Sequence, residues 1–270
     1  MGFRLTDLAI AVGWLLLPFG VVEGGGRTPA GGQVGPGMVV GVDGERVPVH
    51  VRQLLVATAE GWDSAEGQLA LYERAAAGAR WEERGGGRIG VLFGRSGLAW
   101  GRGVLPPVPV AGRYKVEGDG RTPAGLFALG RVYTHDAALP GGHRYPFVPV
   151  GRWDCWVDDP KNPFYNRHVR IDPSRGIPEW YESQRMKIED PTYRWLVEIR
   201  HNSDPPVAGA GSAIFFHKRR APGRKTAGCT VMAEDDLVRV IRWLDAAKYP
   251  HYAVLPQGVY EAVRGWWGLP

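Results

Sequence analysis

The stretch from His217 to Met232 holds the residue types of a nucleophile and its base. A histidine ends the apolar run Ile214-Phe-Phe216, and Cys229 follows Gly228 in a tight turn, with a basic loop between them. The thiolate is the reactive form of cysteine, and a neighbouring imidazole is the usual means of generating it near neutral pH. The chain has only 2 cysteines, so Cys229 does not belong to a disulfide framework or a cysteine-rich zinc site. The pair reads as Cys229 nucleophile and His217 general base. An imidazolium beside the thiol is expected to lower its pKa below the ~8.5 of a free cysteine. Gly228 permits a close backbone approach. The amides of Gly228 and Cys229 are the expected donors to a tetrahedral oxyanion, worth ~3 kcal/mol each.

Other residues admit two readings. Lys218, Arg219, Arg220, Arg224 and Lys225 form either a solvated loop or an attractor for carboxylates. Thr226 is a carboxylate or supporting contact, or a plain turn residue. Glu117, Asp119 and Thr122 lie near a turn and read as structural. Asp158 and Asp159 read as turn caps, with contact to a substrate amine as the alternative. Cys155 is expected as an independent thiol, against the alternative of a disulfide with Cys229. His135, His143 and His168 show no ligand spacing, so we assign no metal and no cofactor. No helix-turn-helix, RNP or zinc-finger pattern accompanies the net charge of +5, which argues against nucleic acid as partner.

These residues need a scaffold of short strands. The 39 glycines and 22 prolines among 270 residues favour many turns over a helical bundle. Strands are expected at Val51–Ala59, Gln68–Glu73, Arg88–Gly94, Trp195–Arg200, in the apolar run to His217, and at His251–Pro256. One helix is expected from Glu234 to Ala247, with Leu237, Ile241 and Leu244 on one face. Residues 135–192 are too long and irregular for a connection and read as a functional insertion wrapped over the core. Tyr165 and Asn166 fall within it and are expected to form a lid that touches substrate.

The N-terminus carries Arg4 and an apolar run from Leu8 to Val22. That length suits a signal peptide, with an uncleaved membrane anchor as the competing reading. Either implies an exported protein, in the periplasm or cell envelope. The resulting division is 1–26 signal or anchor, 27–47 linker, 48–258 one β-rich catalytic domain, and 259–270 a C-terminal tail.

Thr226-Ala-Gly-Cys229 preceded by Phe216-His217, with Thr122-Pro-x-Gly-x-Phe127 upstream, resembles the L,D-transpeptidase catalytic domain, also called YkuD. Val157-Asp-Asp-Pro160, Tyr165-Asn166 and Gly211–His217 support the likeness, which covers roughly residues 50–257. The resemblance implies a mainly β, sandwich-like fold with the cysteine in a groove. It implies acyl transfer on peptidoglycan stem peptides: the cysteine attacks after the third residue, a diamino acid, and expels the terminal D-alanine. A second stem's amine then forms a 3→3 cross-link. It also implies that a backbone carbonyl orients the imidazole. The alternatives are an amide hydrolase or carboxypeptidase of the same fold, or a non-catalytic wall-binding module. The chain departs from the family pattern at two positions. Ala227 stands where the motif usually has histidine, and Val231 where it usually has arginine or asparagine. The His-to-Cys separation is also short. Arg219, Arg220 and Arg224 are therefore expected to hold the substrate carboxylate in place of residue 231.

Overall fold

The computed structural model describes residues 46–108 and 112–270. The N-terminal apolar run and nearly all of the expected linker lie outside the described residues. Among the described residues no helix is long and apolar enough to cross a membrane.

The described residues form twelve strands and three helices. The strands are β1 (Gln53–Ala59), β2 (Glu66–Glu73), β3 (Glu82–Leu92), β4 (Leu98–Trp100), β5 (Thr122–Thr134), β6 (Phe147–Pro149), β7 (Asp154–Trp156), β8 (His168–Arg170), β9 (Trp195–Ile199), β10 (Phe215–Lys218), β11 (Thr230–Met232) and β12 (His251–Pro256). The helices are α1 (Tyr181–Gln184), α2 (Glu234–Trp243) and α3 (Gln257–Trp267). The mainly β expectation holds.

The main sheet runs β12-β1-β2-β3-β11-β10-β9-β5, and β5 pairs in turn with β12, so the sheet closes on itself. The long strand β5 makes the corner. Its Gly125–Ala128 segment pairs with β12, and its Leu129–Thr134 segment pairs with β9 across a register shift. Closure leaves no free edge at this joint. It encloses a core that includes Leu55, Leu69, Leu71, Phe127, Phe216, Met232, Tyr252 and Val254.

Two helices pack against the closed sheet. Helix α2 packs on β10 and β3, burying Leu237, Val240 and Ile241. Three acids in its first turn suit the positive end of the helix dipole. It ends at Trp243, earlier than the sequence suggests. Leu244 turns to extended backbone, and the Asp245 side chain caps a separate short turn by accepting from Ala247 N. Residues 257–267, read from sequence mostly as tail, form α3, which packs on β12 and β1 and buries Val263 and Trp267. The backbone oxygen of Trp267 also accepts from Val47 N at 2.8 Å, which ties the start of the domain to its end.

The region 135–192 is not structureless. It holds β6, the two-stranded sheet β7–β8, α1 and several short turns around Cys155, Ile171 and Tyr181. Strand β3 begins at Glu82, six residues before the expected start, and pairs with β2 over most of its length.

Candidate active site

Strands β10 and β11 run parallel, with Phe216 opposite Thr230 and His217 opposite Val231. Side chains alternate between faces along a strand. Phe216, Thr230 and Met232 turn into the closed sheet, where Thr230 Oγ1 meets Tyr252 Oη at 3.1 Å. Phe215, His217, Cys229 and Val231 turn the other way, into a cavity of about 670 Å³. The ladder thus sets His217 and Cys229 as diagonal neighbours on one face.

Two threonines hold the turn before Cys229. Thr226 Oγ1 donates to Cys229 O at 2.6 Å and accepts from Gly228 N at 3.0 Å. Buried Thr122 donates to Gly228 O at 2.8 Å and accepts from Gly94 N at 2.9 Å. The threonine of the Thr-Pro-x-Gly-x-Phe motif therefore braces the cysteine turn. A Cβ at residue 228 would sit 3.0 Å from Arg121 O and 3.1 Å from Ile214 Cδ1. A side chain there would crowd both groups, so glycine favours the close approach.

These bonds bear on two sequence expectations. Thr226 lines the cavity of Cys229, and its hydroxyl is engaged within the turn, where it acts as the expected supporting contact. The Gly228 N–H is engaged by Thr226 and is not free for an oxyanion. Gly228 serves the site through its lack of a side chain.

The backbone carbonyl of Lys218 lies 2.9 Å from His217 Nδ1. A carbonyl can only accept, so Nδ1 carries the proton and Nε2 keeps its lone pair. This matches the expected orienting carbonyl. The Tyr193 ring stands edge-on to the imidazole, with centroids 5.1 Å apart. His217 is buried, and burial lowers its pKa to about 4; the Lys218 carbonyl and Asp190 oppose that shift, while Arg220 adds to it. Cys229 is half-buried. Burial pushes its thiol up to about 11, against smaller opposing effects of the Phe215 N–H and the Lys115 charge. The thiol donates to Ala213 O at 3.5 Å rather than to His217. The resting pair is a neutral thiol beside a neutral imidazole, opposite to the lowered thiol pKa that the sequence suggests.

The basic loop divides. Lys218 pairs with Glu234 at 2.8 Å, Arg220 with Asp190 at 2.5 Å and Lys225 with Glu66 at 3.6 Å. Arg220, Arg224 and Lys225 line the cavity of Cys229. Arg219 lines a different one, between Glu60, Glu66 and Arg88. Arg219 is thus displaced from the expected carboxylate site, and Arg220 is already engaged by a carboxylate. Arg224 lines the cavity with no ion pair among the described residues.

Tyr165 and Asn166 are buried and do not line the cavity. The Tyr165 hydroxyl donates to Glu117, and Asn166 bonds to backbone groups behind the site. They are not substrate contacts. The insertion lines the cavity with other residues: His135, Val150, Trp156, Asp158, Met186 and Thr192 among them. Asp159 caps a turn by accepting from Lys161 N at 2.9 Å. Cys155 and Cys229 are both free thiols.

A model of the L,D-transpeptidase catalytic domain, YkuD, matches residues 67–254, more than half of the chain. No curated protein and no solved structure gives a match. The matched span contains β3 to β11 with most of β2 and β12, and with them both cavity-facing strands, Thr122, His217 and Cys229, and the chain therefore belongs to the L,D-transpeptidase catalytic-domain family.

Proposed function

We propose that this chain is a peptidoglycan L,D-transpeptidase that works outside the cytoplasm, delivered by the apolar segment near its N-terminus. The observation that carries the reading is a single cavity holding the Cys229 thiol and an imidazole whose Nε2 lone pair is free.

With a thiol near 11 and an imidazole near 4, a preformed thiolate–imidazolium pair is strongly disfavoured in the resting site. Proton transfer therefore accompanies attack. As Sγ bonds to the carbonyl carbon of the donor's third residue, its proton passes to His217 Nε2. When the C–N bond breaks, His217 returns that proton to the departing D-alanine amine, leaving a thioester. The acceptor amine attacks the thioester and gives a proton to His217. The C–S bond then breaks, the sulfur recovers a proton, and the new amide is the cross-link. The Cys229 N–H enters none of the hydrogen bonds that hold the turn, and is the donor we assign to the oxyanion. Arg224 is the cation we assign to the donor's carboxylate.

The test is mass analysis of muropeptides after incubation with the purified chain. Cross-linked dimers with loss of D-alanine are expected. Shortened monomers alone would assign water as the acceptor and make the protein a hydrolase of the same fold. Unchanged muropeptides would overturn the enzymatic reading.

A further inference from the structure

Ala213 has a left-handed backbone, with φ of 54°. For a residue bearing a Cβ this conformation costs roughly 1–2 kcal/mol. Its carbonyl is the acceptor for the Cys229 thiol. A strained residue thus sits directly on the sulfur, and the side chain that holds it there is Asn166.

All four hydrogen-bonding positions of the Asn166 amide are used. Oδ1 accepts from Ala213 N at 3.0 Å and from Trp156 Nε1 at 3.3 Å. Nδ2 donates to His201 O at 2.9 Å and Asn202 O at 2.8 Å. The neighbouring pair works the same way: Glu117 accepts from Ser212 Oγ at 2.7 Å and from the Tyr165 hydroxyl. Tyr165-Asn166 therefore clamps Ser212-Ala213 from behind the cavity. Satisfied buried networks of this kind fix one backbone geometry, because each broken bond leaves a buried polar group unpaired.

We propose that Asn166 is a positioning residue that holds Ala213 in its left-handed conformation, so that the Ala213 carbonyl keeps the Cys229 thiol aimed and protonated until His217 takes the proton. A carbonyl accepts a hydrogen bond from a neutral thiol but repels a thiolate, so the contact belongs to the resting state. The proposal rests on Cys229 being the reactive thiol of the reading above.

The test is the rate of Cys229 alkylation by iodoacetamide against pH, read by peptide mass in the full-length protein. Asn166→Ala releases Ala213 and removes a contact worth ~1 kcal/mol, so alkylation at pH 7 should rise about fivefold, with the pH profile displaced to lower pH. A glycine at 213 adopts the left-handed conformation without strain. Adding Ala213→Gly to Asn166→Ala should bring the rate back toward wild type, whereas adding Ala213→Val should not. A general loosening of the core would show no such rescue. An unchanged profile in Asn166→Ala, or no difference between the glycine and valine double variants, overturns the proposal. If Asn166→Ala fails to fold, Ala213→Val and Ala213→Gly are compared with Asn166 intact: the valine variant should alkylate faster, and equal rates overturn it. Alkylation needs no cell-wall substrate, so this result and the muropeptide result fail independently.

Discussion

Cys229 and Cys155 lie in different parts of the molecule, one in the turn just before β11 and one in the small sheet of the insertion. Burial pushes both thiols up to about 11. Their surroundings differ in other ways. Cys155 packs with Ile171 and Tyr181, and Asp154 and Glu182 raise its pKa further. The histidine of its sheet, His168, is held by Asp154 at 2.8 Å. Cys229 opens to a cavity, faces two influences that favour the thiolate, and shares its face with an imidazole that has a free lone pair. Resting acidity does not distinguish the two cysteines; access and a base within the same cavity do.

The sharpest way to break this comparison is to remove each sulfur. Cys229→Ala should abolish turnover in the muropeptide assay. Cys155→Ala should keep turnover within about twofold, at a stability cost on the order of 1 kcal/mol for the lost buried contacts. Comparable losses from both would erase the distinction. Removing the base comes next. His217→Ala should lower kcat by roughly 10²–10⁴. In the wild type the imidazole must be unprotonated, and its pKa is near 4. Activity should therefore persist through pH 5 and fall only as pH drops toward 4. An acidic limb near 6.5 would mean that His217 is not buried as described.

Buried neutral imidazoles also tie stability to pH. His201 and His217 each have a folded pKa of about 4 through burial, below the ~6.5 of an unfolded histidine. The unfolded chain binds more protons in that window. Stability is complete above about pH 6.5 and is lost as pH falls toward 4, by up to about 3 kcal/mol for each histidine. Urea midpoints at pH 7 and pH 4.5 measure this, and equal midpoints would contradict it. The smallest expected effect separates the arginines. Arg224→Gln should raise KM for the donor roughly three- to tenfold, the cost of a partly exposed ion pair. Arg219→Gln, in the other cavity, should leave it unchanged. The reverse order would return the carboxylate contact to Arg219.

Much of the scaffold was legible because short apolar runs bounded by turns mark buried strands. β1, β9 and β12 are buried along nearly their whole length, and they and β2 follow their apolar residues. Cys229, His217 and the Thr122 motif were readable as residue types at set spacings. β3 was cut short because Glu82-Glu-Arg-Gly-Gly-Gly87 has neither alternation nor apolar residues; its pairing with β2 supplies what its sequence lacks. α3 was missed because Gly258 and Gly265 interrupt it, and only Val263 and Trp267 are buried. Arg219 and Arg220 are adjacent, and nothing in their order says which cavity each lines. The raised thiol pKa is a product of tertiary burial, which a sequence window does not contain. The same holds for Tyr165-Asn166, whose role depends on residues 117, 201 and 213, far away in the chain.

The parallel pairing of β10 with β11 has a consequence for how this site tolerates change. Two parallel neighbours cannot be joined by a tight hairpin, so the chain leaves His217, travels through the exposed loop and re-enters before Cys229. The separation of base and nucleophile in space is measured by the rungs of the ladder and not by the number of residues between them. Loop-closure entropy changes slowly with length, each doubling costing only ~0.6 kcal/mol. The loop at Pro222-Gly223 can therefore gain residues while the reacting atoms stay in register. The short interval between His217 and Cys229 is then a free variable, through which such a protein can re-dress the mouth of its cavity without touching the machinery inside.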